Sequence, residues 1–184
     1  DVELDAPVDM PRDLQRDGMS VLPDQTAYEL GGLVFPGAMG HGRDTRGARS
    51  CERGEPVEVL MVRDERTLRA AFGGTGCRVG LFERSGRIEL SSTLTIRRPG
   101  LTVLGHSAPA PGVMLTGGTV LVNAGEVILR GLAIRGGSDL EEEADTLAIV
   151  ARANEPLHHV IIDHVDATWF NDGALDINGE QAPV

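Results

Sequence analysis

The sequence predicts an all-β protein folded as a parallel β-helix, and three features of its strand pattern carry that prediction. Short aliphatic segments recur at a nearly constant spacing, three of them fit into each repeat, and few residues connect one to the next. Consecutive strands joined in this way do not pair in parallel with each other, because a parallel crossover needs a dozen or more residues. Each strand must therefore pair with its equivalent one repeat later, so that the chain coils on itself.

Three series of strands define the repeat. The first contains TLTI, TVLV, TLAI and ALDI, with steps of 26, 27 and 28 residues between their starts at Thr93, Thr119, Thr146 and Ala174. The second contains LTVL, VILR and VIID, which start at Leu101, Val127 and Val160. The third contains VMLT, AIRG and ATWF, which start at Val113, Ala133 and Ala167. An ordinary β-sandwich is the alternative, but sandwiches rarely keep a three-strand period.

Alternation within the first series predicts which side chains face inward. Every second residue of a strand points to the same face, so the aliphatic residues of successive coils should stack as columns. The expected members are Val120, Val122, Leu147, Ile149, Leu175 and Ile177.

The segments before the repeats predict an N-terminal cap. Residues 1–33 are rich in proline and acids without periodicity, which favours an extended arm, and residues 34–184 form the expected domain. The segment DERTLRAAF (64–72) predicts one short helix over the first coil, since acids begin it and its apolar side chains share one face. Those apolar side chains are Leu68, Ala71 and Phe72.

The charge balance excludes two classes of partner. With 28 acidic and 17 basic residues the chain carries a formal charge of −11, and every basic residue is an arginine. Such acidity argues against nucleic acid and anionic membrane surfaces. No apolar run approaches the roughly 20 residues that span a bilayer, and no Ser-His-Asp arrangement or phosphate-binding glycine loop stands out.

We expect a secreted protein. The chain starts with Asp rather than Met and shows no signal peptide, which predicts a processed or trimmed N-terminus. Cys51 and Cys77 would be able to pair in an oxidising compartment, but two cysteines alone leave the bridged and the free state open.

Two aspartates near the last strand raise the question of a cation site. Aligning EADTLAIV with FNDGALDI places Asp145 beneath Asp172, and the inserted Gly173 brings Ala148 beneath Asp176 on the outward face. Along a straight strand Asp172 and Asp176 would lie roughly 13 Å apart, so the chain must bend, and Gly173 tolerates a bend. Three convergent carboxylates suit Ca²⁺. The alternative is that Asp172 and Gly173 form an ordinary turn and Asp145 is a solvated acid.

Several segments, in order, resemble pectate lyases of polysaccharide lyase family one. The resemblance covers about residues 34–177 and is carried by FPGAMGHGRDTRGAR, ERTLRAAF, SGRIEL, LTVLGHSAP, VILRGLAIR, VIIDHVDATW and NDGALDI. It implies a right-handed parallel β-helix, of which the chain would hold the N-terminal cap and about three coils. It also implies that Asp145, Asp172 and Asp176 hold the Ca²⁺ that links the enzyme to polygalacturonate (pectin), an acidic polysaccharide cleaved by β-elimination. A metal on the uronate carboxylate stabilises the charge that develops in that reaction.

The sequence departs from the family pattern after the last strand. Family members take an Arg base and a Lys from later coils, whereas this chain ends at Val184 and contains no Lys. We therefore assign no catalytic residue and expect little or no turnover by this chain alone. A non-catalytic carbohydrate-binding or structural β-helix is the alternative function, and a metal-independent pectin lyase is a third. We further expect association through the exposed last coil.

Other polar and aromatic residues have simpler interpretations. Arg130 is predicted to pair with Asp163, because both occupy equivalent positions of adjacent strands. Arg130, Arg135 and Arg152 are only loose candidates for substrate contact. His164 is expected to close a turn and His41 to belong to the N-terminal segment, while Trp169 either stacks on a sugar or packs internally.

Overall fold

The described part of the chain consists almost entirely of short strands. The computed structural model describes residues 34–35, 38–40, 42–137, 144–151 and 157–179, which fall within one compact unit, Leu33–Val184. Within these ranges there is one α-helix, α1 (Glu65–Gly73), and two 3-10 turns, Gly47–Arg49 and Gly105–Ser107. No helix in the same ranges is long and apolar enough to cross a membrane. The arm predicted for residues 1–33, and with it the domain boundary, lies outside the described residues.

The strands of the described ranges are short, each of three to five residues. In chain order they are β1 (Glu58–Val62), β2 (Arg78–Phe82), β3 (Gly86–Glu89), β4 (Leu94–Ile96), β5 (Leu101–Leu104), β6 (Val113–Thr116), β7 (Val120–Val122), β8 (Val127–Arg130), β9 (Ala133–Arg135), β10 (Leu147–Ala151), β11 (Val160–Asp163), β12 (Asp166–Thr168) and β13 (Leu175–Gly179).

These strands form three parallel sheets that the chain visits in turn. The sheets have the orders β1-β2-β5-β8-β11, β3-β6-β9-β12 and β4-β7-β10-β13, and every registered pair is parallel. Each strand from β2 to β10 therefore pairs with the equivalent strand about one repeat later, as predicted. The result is an all-β architecture with a single described helix, consistent with a parallel β-helix and unlike the antiparallel sheets of a sandwich.

The register confirms two of the predicted series and shifts the third. Leu94, Val120, Leu147 and Leu175 are successive partners, which reproduces the steps of 26, 27 and 28 residues. Leu101, Val127 and Val160 are also successive partners.

In the third series the prediction is wrong by one residue on either side of Ala133. Met114 and Asp166, rather than Val113 and Ala167, lie opposite it. This register places Leu115 and Ile134 in one buried column. The predicted register would have turned the charged Arg135 inward, and a slip of one residue moves every side chain to the other face.

The inward columns of the sheet β4-β7-β10-β13 match the prediction until the last coil. Val120, Val122 and Leu147 are at most 1% exposed and Ile149 is 8% exposed. The next members of the columns, Leu175 and Ile177, are 46% and 71% exposed. The open end of the aliphatic columns is thus as expected, while association through it stays a prediction.

The helix α1 closes the opposite end of the stack. Asp64 is its N-cap, its side chain accepting from the Thr67 backbone N–H at 2.8 Å. The helix packs against β1, β2 and β4 and buries the three apolar side chains that the sequence places on one face. Nearby, Cys51 and Cys77 are joined in a disulfide, which settles the alternative left open by the sequence.

Candidate functional site

The outward face of β13 presents Asp176 as the sequence predicts. Asp176 lies opposite Ala148 of β10, whereas Ile177 continues the inward column above Ile149. Asn178, two residues further along the same face, donates from Nδ2 to Asp176 Oδ2 at 2.6 Å. The aspartate is therefore held on the outer surface of the sheet β4-β7-β10-β13 by the alternation of the strand.

Asp145 lies against Gly173 rather than against Asp172, the partner that the sequence alignment predicts. The Thr146 N–H donates to the Gly173 carbonyl at 3.0 Å, so the 28-residue step of the ladder already holds at this point. The Gly173 N–H donates to the Asp145 carboxylate. A Cβ built on Gly173 would overlap Asp145 Oδ1. Glycine is thus required here for the close approach of a carboxylate.

The charges of two of the predicted aspartates, Asp176 and Asp172, act on the third, Asp145. The pKa of Asp145 is raised above its ordinary value, first by burial and then by the negative charges of Asp176 and Asp172. The hydrogen bond from Gly173 opposes this shift without cancelling it. The three carboxylates thus form one electrostatic cluster, which we call the aspartate cluster (Asp145, Asp172 and Asp176).

The aspartate cluster differs from the other acids of the last coils in lacking a cationic partner within the described ranges. Arg130 Nε lies 2.6 Å from Asp163 Oδ2, and Arg135 Nη2 lies 2.6 Å from Asp166 Oδ2. Among the described residues, none of the cluster's carboxylates takes part in an ion pair with arginine. Within the described residues, the repulsion that Asp145 experiences is therefore not offset by an arginine.

The chemistry of the cluster fits a hard divalent cation, although its side chains do not converge. In the described ranges no three Asp, Glu, His or Cys side chains are placed to hold one ion. The electrostatic effect on Asp145 is compatible with the lack of convergence, because charges act over longer distances than the 2.3–2.6 Å of a Ca²⁺–oxygen bond. Carboxylate oxygens are the ligands that Ca²⁺ prefers, and binding would require these side chains to turn toward a common point.

The remaining predicted residues take structural roles or fall outside the described residues. The pairing of Arg130 with Asp163 is confirmed, and the guanidinium also lies over the Phe35 ring, 4.4 Å from its centroid. His164 adopts a positive φ of 50°, and its Nδ1 lies 2.8 Å from Asp163 Oδ1, in keeping with a turn. Arg152 and His41 lie outside the described residues.

Sequence reasoning missed two polar residues that support the aspartate cluster. Thr119 Oγ1 donates to the Asp145 carbonyl at 2.7 Å, and Asn178 donates to Asp176. A signal for each was present. A threonine comes just before β4, β7 and β10, and the spacing of two between Asp176 and Asn178 places both on one face of a strand.

Comparison with known proteins gives no independent identification. No family model matches the chain, and no curated protein sequence matches it.

Proposed function

We propose that this chain is a secreted, pectate-lyase-like, right-handed parallel β-helix that binds Ca²⁺ and, through it, acidic polysaccharide of the polygalacturonate type. The observation that carries the proposal is the register of β10 and β13. This register brings Asp145 against Gly173 and places Asp176 on the outward face of β13, opposite Ala148. The Cys51–Cys77 disulfide supports an oxidising, extracellular setting.

Asp145, Asp172 and Asp176 would hold the metal. When bound, Ca²⁺ would offset their repulsion and offer open coordination positions to uronate carboxylates. Within the described residues, none of these three acids is paired with an arginine, while the neighbouring acids Asp163 and Asp166 are. This arrangement allows a protein of net charge −11 to bind a polyanion.

Eliminative cleavage is the reaction that the family resemblance implies, and we assign it no base in this chain. Arg130 and Arg135 lie on the other two sheets, and each is paired with an aspartate. That pairing favours the second candidate function, a non-catalytic module that binds acidic polysaccharide.

Calcium titration calorimetry on metal-stripped protein tests the proposal. We expect uptake of about one ion per chain with a dissociation constant near 10⁻⁴–10⁻³ M, weakened at least about tenfold by Asp172→Asn or Asp176→Asn because each removes a ligand charge. Asp44→Asn, at an exposed acid far along the chain, is the matched control and should bind as the unaltered protein does.

The same samples distinguish the two candidate functions. Incubation with polygalacturonate and Ca²⁺, followed by EDTA, is monitored through the ultraviolet absorbance of the unsaturated product. Rising absorbance that EDTA stops supports a lyase, whereas calcium-dependent binding with constant absorbance supports a binding module. Calcium uptake that is absent, or indifferent to Asp172 and Asp176, would refute the metal site.

A further inference from the structure

Two adjacent aromatic side chains are exposed on the loop between β12 and β13. Trp169 is 67% exposed and Phe170 is 47% exposed. Phe72 and Phe82, in contrast, are almost completely buried at 0% and 2%. Adjacent exposed aromatics indicate a surface that meets another molecule more often than isolated apolar residues do. The internal packing considered for Trp169 from the sequence is therefore wrong.

The loop holds these aromatics through backbone hydrogen bonds to the preceding coil. The Gly137 N–H donates to the Trp169 carbonyl at 2.8 Å, and the Gly136 N–H donates to the Thr168 carbonyl at 3.1 Å. Trp169 itself has a φ of 61°, a left-handed conformation that is uncommon for residues with a side chain. His164 has a similar φ, so the conformation is one that the turns of this protein use, and it fixes the backbone beneath the indole ring.

The same loop leads directly into the aspartate cluster. Trp169 precedes Asp172 by three residues, so their Cα atoms lie within about 11 Å of each other. The loop continues to Gly173, whose carbonyl accepts a hydrogen bond from the Thr146 N–H and which lies against Asp145. The exposed aromatic pair therefore shares one short segment with Asp172 of the aspartate cluster, within reach of neighbouring units of an oligosaccharide.

We infer that Trp169 and Phe170 form a stacking subsite for a pyranose ring of an acidic oligosaccharide, next to the uronate bound at the aspartate cluster. This inference rests on the proposed function. A pyranose ring presents C–H groups on its faces, which pack on the electron-rich face of an indole ring. Such a contact buries apolar surface without involving charge, so it adds affinity for a polyanion that the net charge of the protein otherwise disfavours.

The single tryptophan of the chain makes the subsite directly observable. Because Trp169 is the sole Trp, indole emission reports on this loop alone. We expect titration with oligogalacturonate in the presence of Ca²⁺ to shift and saturate the emission, with the same midpoint as binding measured by calorimetry. An uncharged oligosaccharide of equal length should leave the emission unchanged at those concentrations.

Substitution separates the subsite from the metal site. We expect Trp169→Ala to weaken oligogalacturonate binding about tenfold and Trp169→Phe to restore most of it, because stacking depends on a ring. Calcium uptake in the absence of sugar should stay unchanged in both variants. Met39→Ala, at an apolar residue that is 86% exposed, is the matched control and should bind as the unaltered protein does.

The outcomes distinguish failure of this inference from failure of the proposed function. Calcium-dependent binding that is lost in Asp176→Asn but kept in Trp169→Ala, with constant emission, overturns the subsite alone. Absence of any calcium-dependent binding overturns both. If Trp169→Ala instead changes only the sedimentation of the protein, the aromatic pair contacts another copy of the chain and the sugar subsite is refuted.

Discussion

Glu65 of α1 and Asp145, which comes before β10, are carboxylates near opposite ends of the stack, and their surroundings shift their pKa values in opposite directions. Glu65 accepts hydrogen bonds from the Ser91 backbone N–H and hydroxyl, both at 2.7 Å, and from Arg69 Nε at 2.8 Å. Those donors lower the pKa of Glu65 to about 2. Burial and the charges of Asp176 and Asp172 raise the pKa of Asp145.

The difference reflects two uses of charge in one stack of strands. At α1, the carboxylates of Asp64 and Glu65 accept hydrogen bonds, and the apolar face of the helix is buried. At the other end of the stack, Asp145 experiences the charges of Asp176 and Asp172, and several aliphatic and aromatic side chains are exposed. The first region is organised for stability, while the last accumulates unfavourable groups that a ligand could compensate, as functional sites commonly do.

The largest effect is expected from a substitution of Arg78, near the C-terminal end of α1. This side chain has no exposed surface, and its donors contact five carbonyl groups, those of Ala71, Phe72, Gly76, Arg98 and Pro99. Arg78→Met would remove the donors of all five carbonyl groups, and the hydrogen bonds to Ala71 and Phe72 are fully buried. We expect the free energy of unfolding, measured in urea, to fall by about 3–5 kcal/mol.

Arg87 of β3 offers the control for that measurement. Its side chain is 66% exposed, so Arg87→Met should change the free energy of unfolding by no more than about 0.5 kcal/mol. Equal effects of the two substitutions would contradict the view that Arg78 stabilises the fold by donating to the last carbonyl groups of α1.

A smaller effect, confined to function, is expected from Gly173→Ala. The new Cβ would displace the Asp145 carboxylate, whose short side chain is able to turn away, so the fold should survive with a loss of at most about 1 kcal/mol. Calcium affinity should fall at least about tenfold, because the displaced carboxylate leaves the cluster. Both values come from thermal melting and calcium calorimetry of one preparation.

Gly179→Ala is the matched glycine control, since a Cβ at that position has no neighbour within 4 Å. It should retain calcium affinity. If Gly173→Ala also binds calcium normally, the close approach of Asp145 to Gly173 does not serve the cation.

The sequence predicted those features that follow from periodicity. Aliphatic alternation identified the strands from Leu94 onward, the inward columns and the outward position of Asp176, because burial imposes a period of two on strands. It failed by one residue where the connections change length, at Asp145 and in the third strand series, since spacing alone does not locate an insertion. Arg78 was missed entirely: its five partners are backbone carbonyls, which no residue pattern reveals.

The smallest effect is expected in the pH dependence of the melting temperature, which tests the opposite pKa shifts of Glu65 and Asp145. A carboxylate whose pKa is lowered on folding stabilises the protein above its ordinary pKa of 4.5, and this contribution is lost as the pH falls toward the folded value of about 2. Glu65→Gln should therefore lower the melting temperature at pH 7, and the difference from the unaltered protein should shrink between about pH 4.5 and 2.

Asp145→Asn, measured in the same series with EDTA, should behave in the opposite way. Because folding raises the pKa of Asp145, its ionisation opposes folding, so the amide should raise the melting temperature at pH 7 and lose that advantage in acid. Glu89→Gln, at a side chain that is 70% exposed, is the control. If Glu65→Gln and Asp145→Asn change the melting temperature at pH 7 in the same direction, the two ends of the stack do not differ in how they shift the pKa of a carboxylate. Opposite signs would show that the last coil is less stable in the absence of a cation because of the acids that we propose bind it.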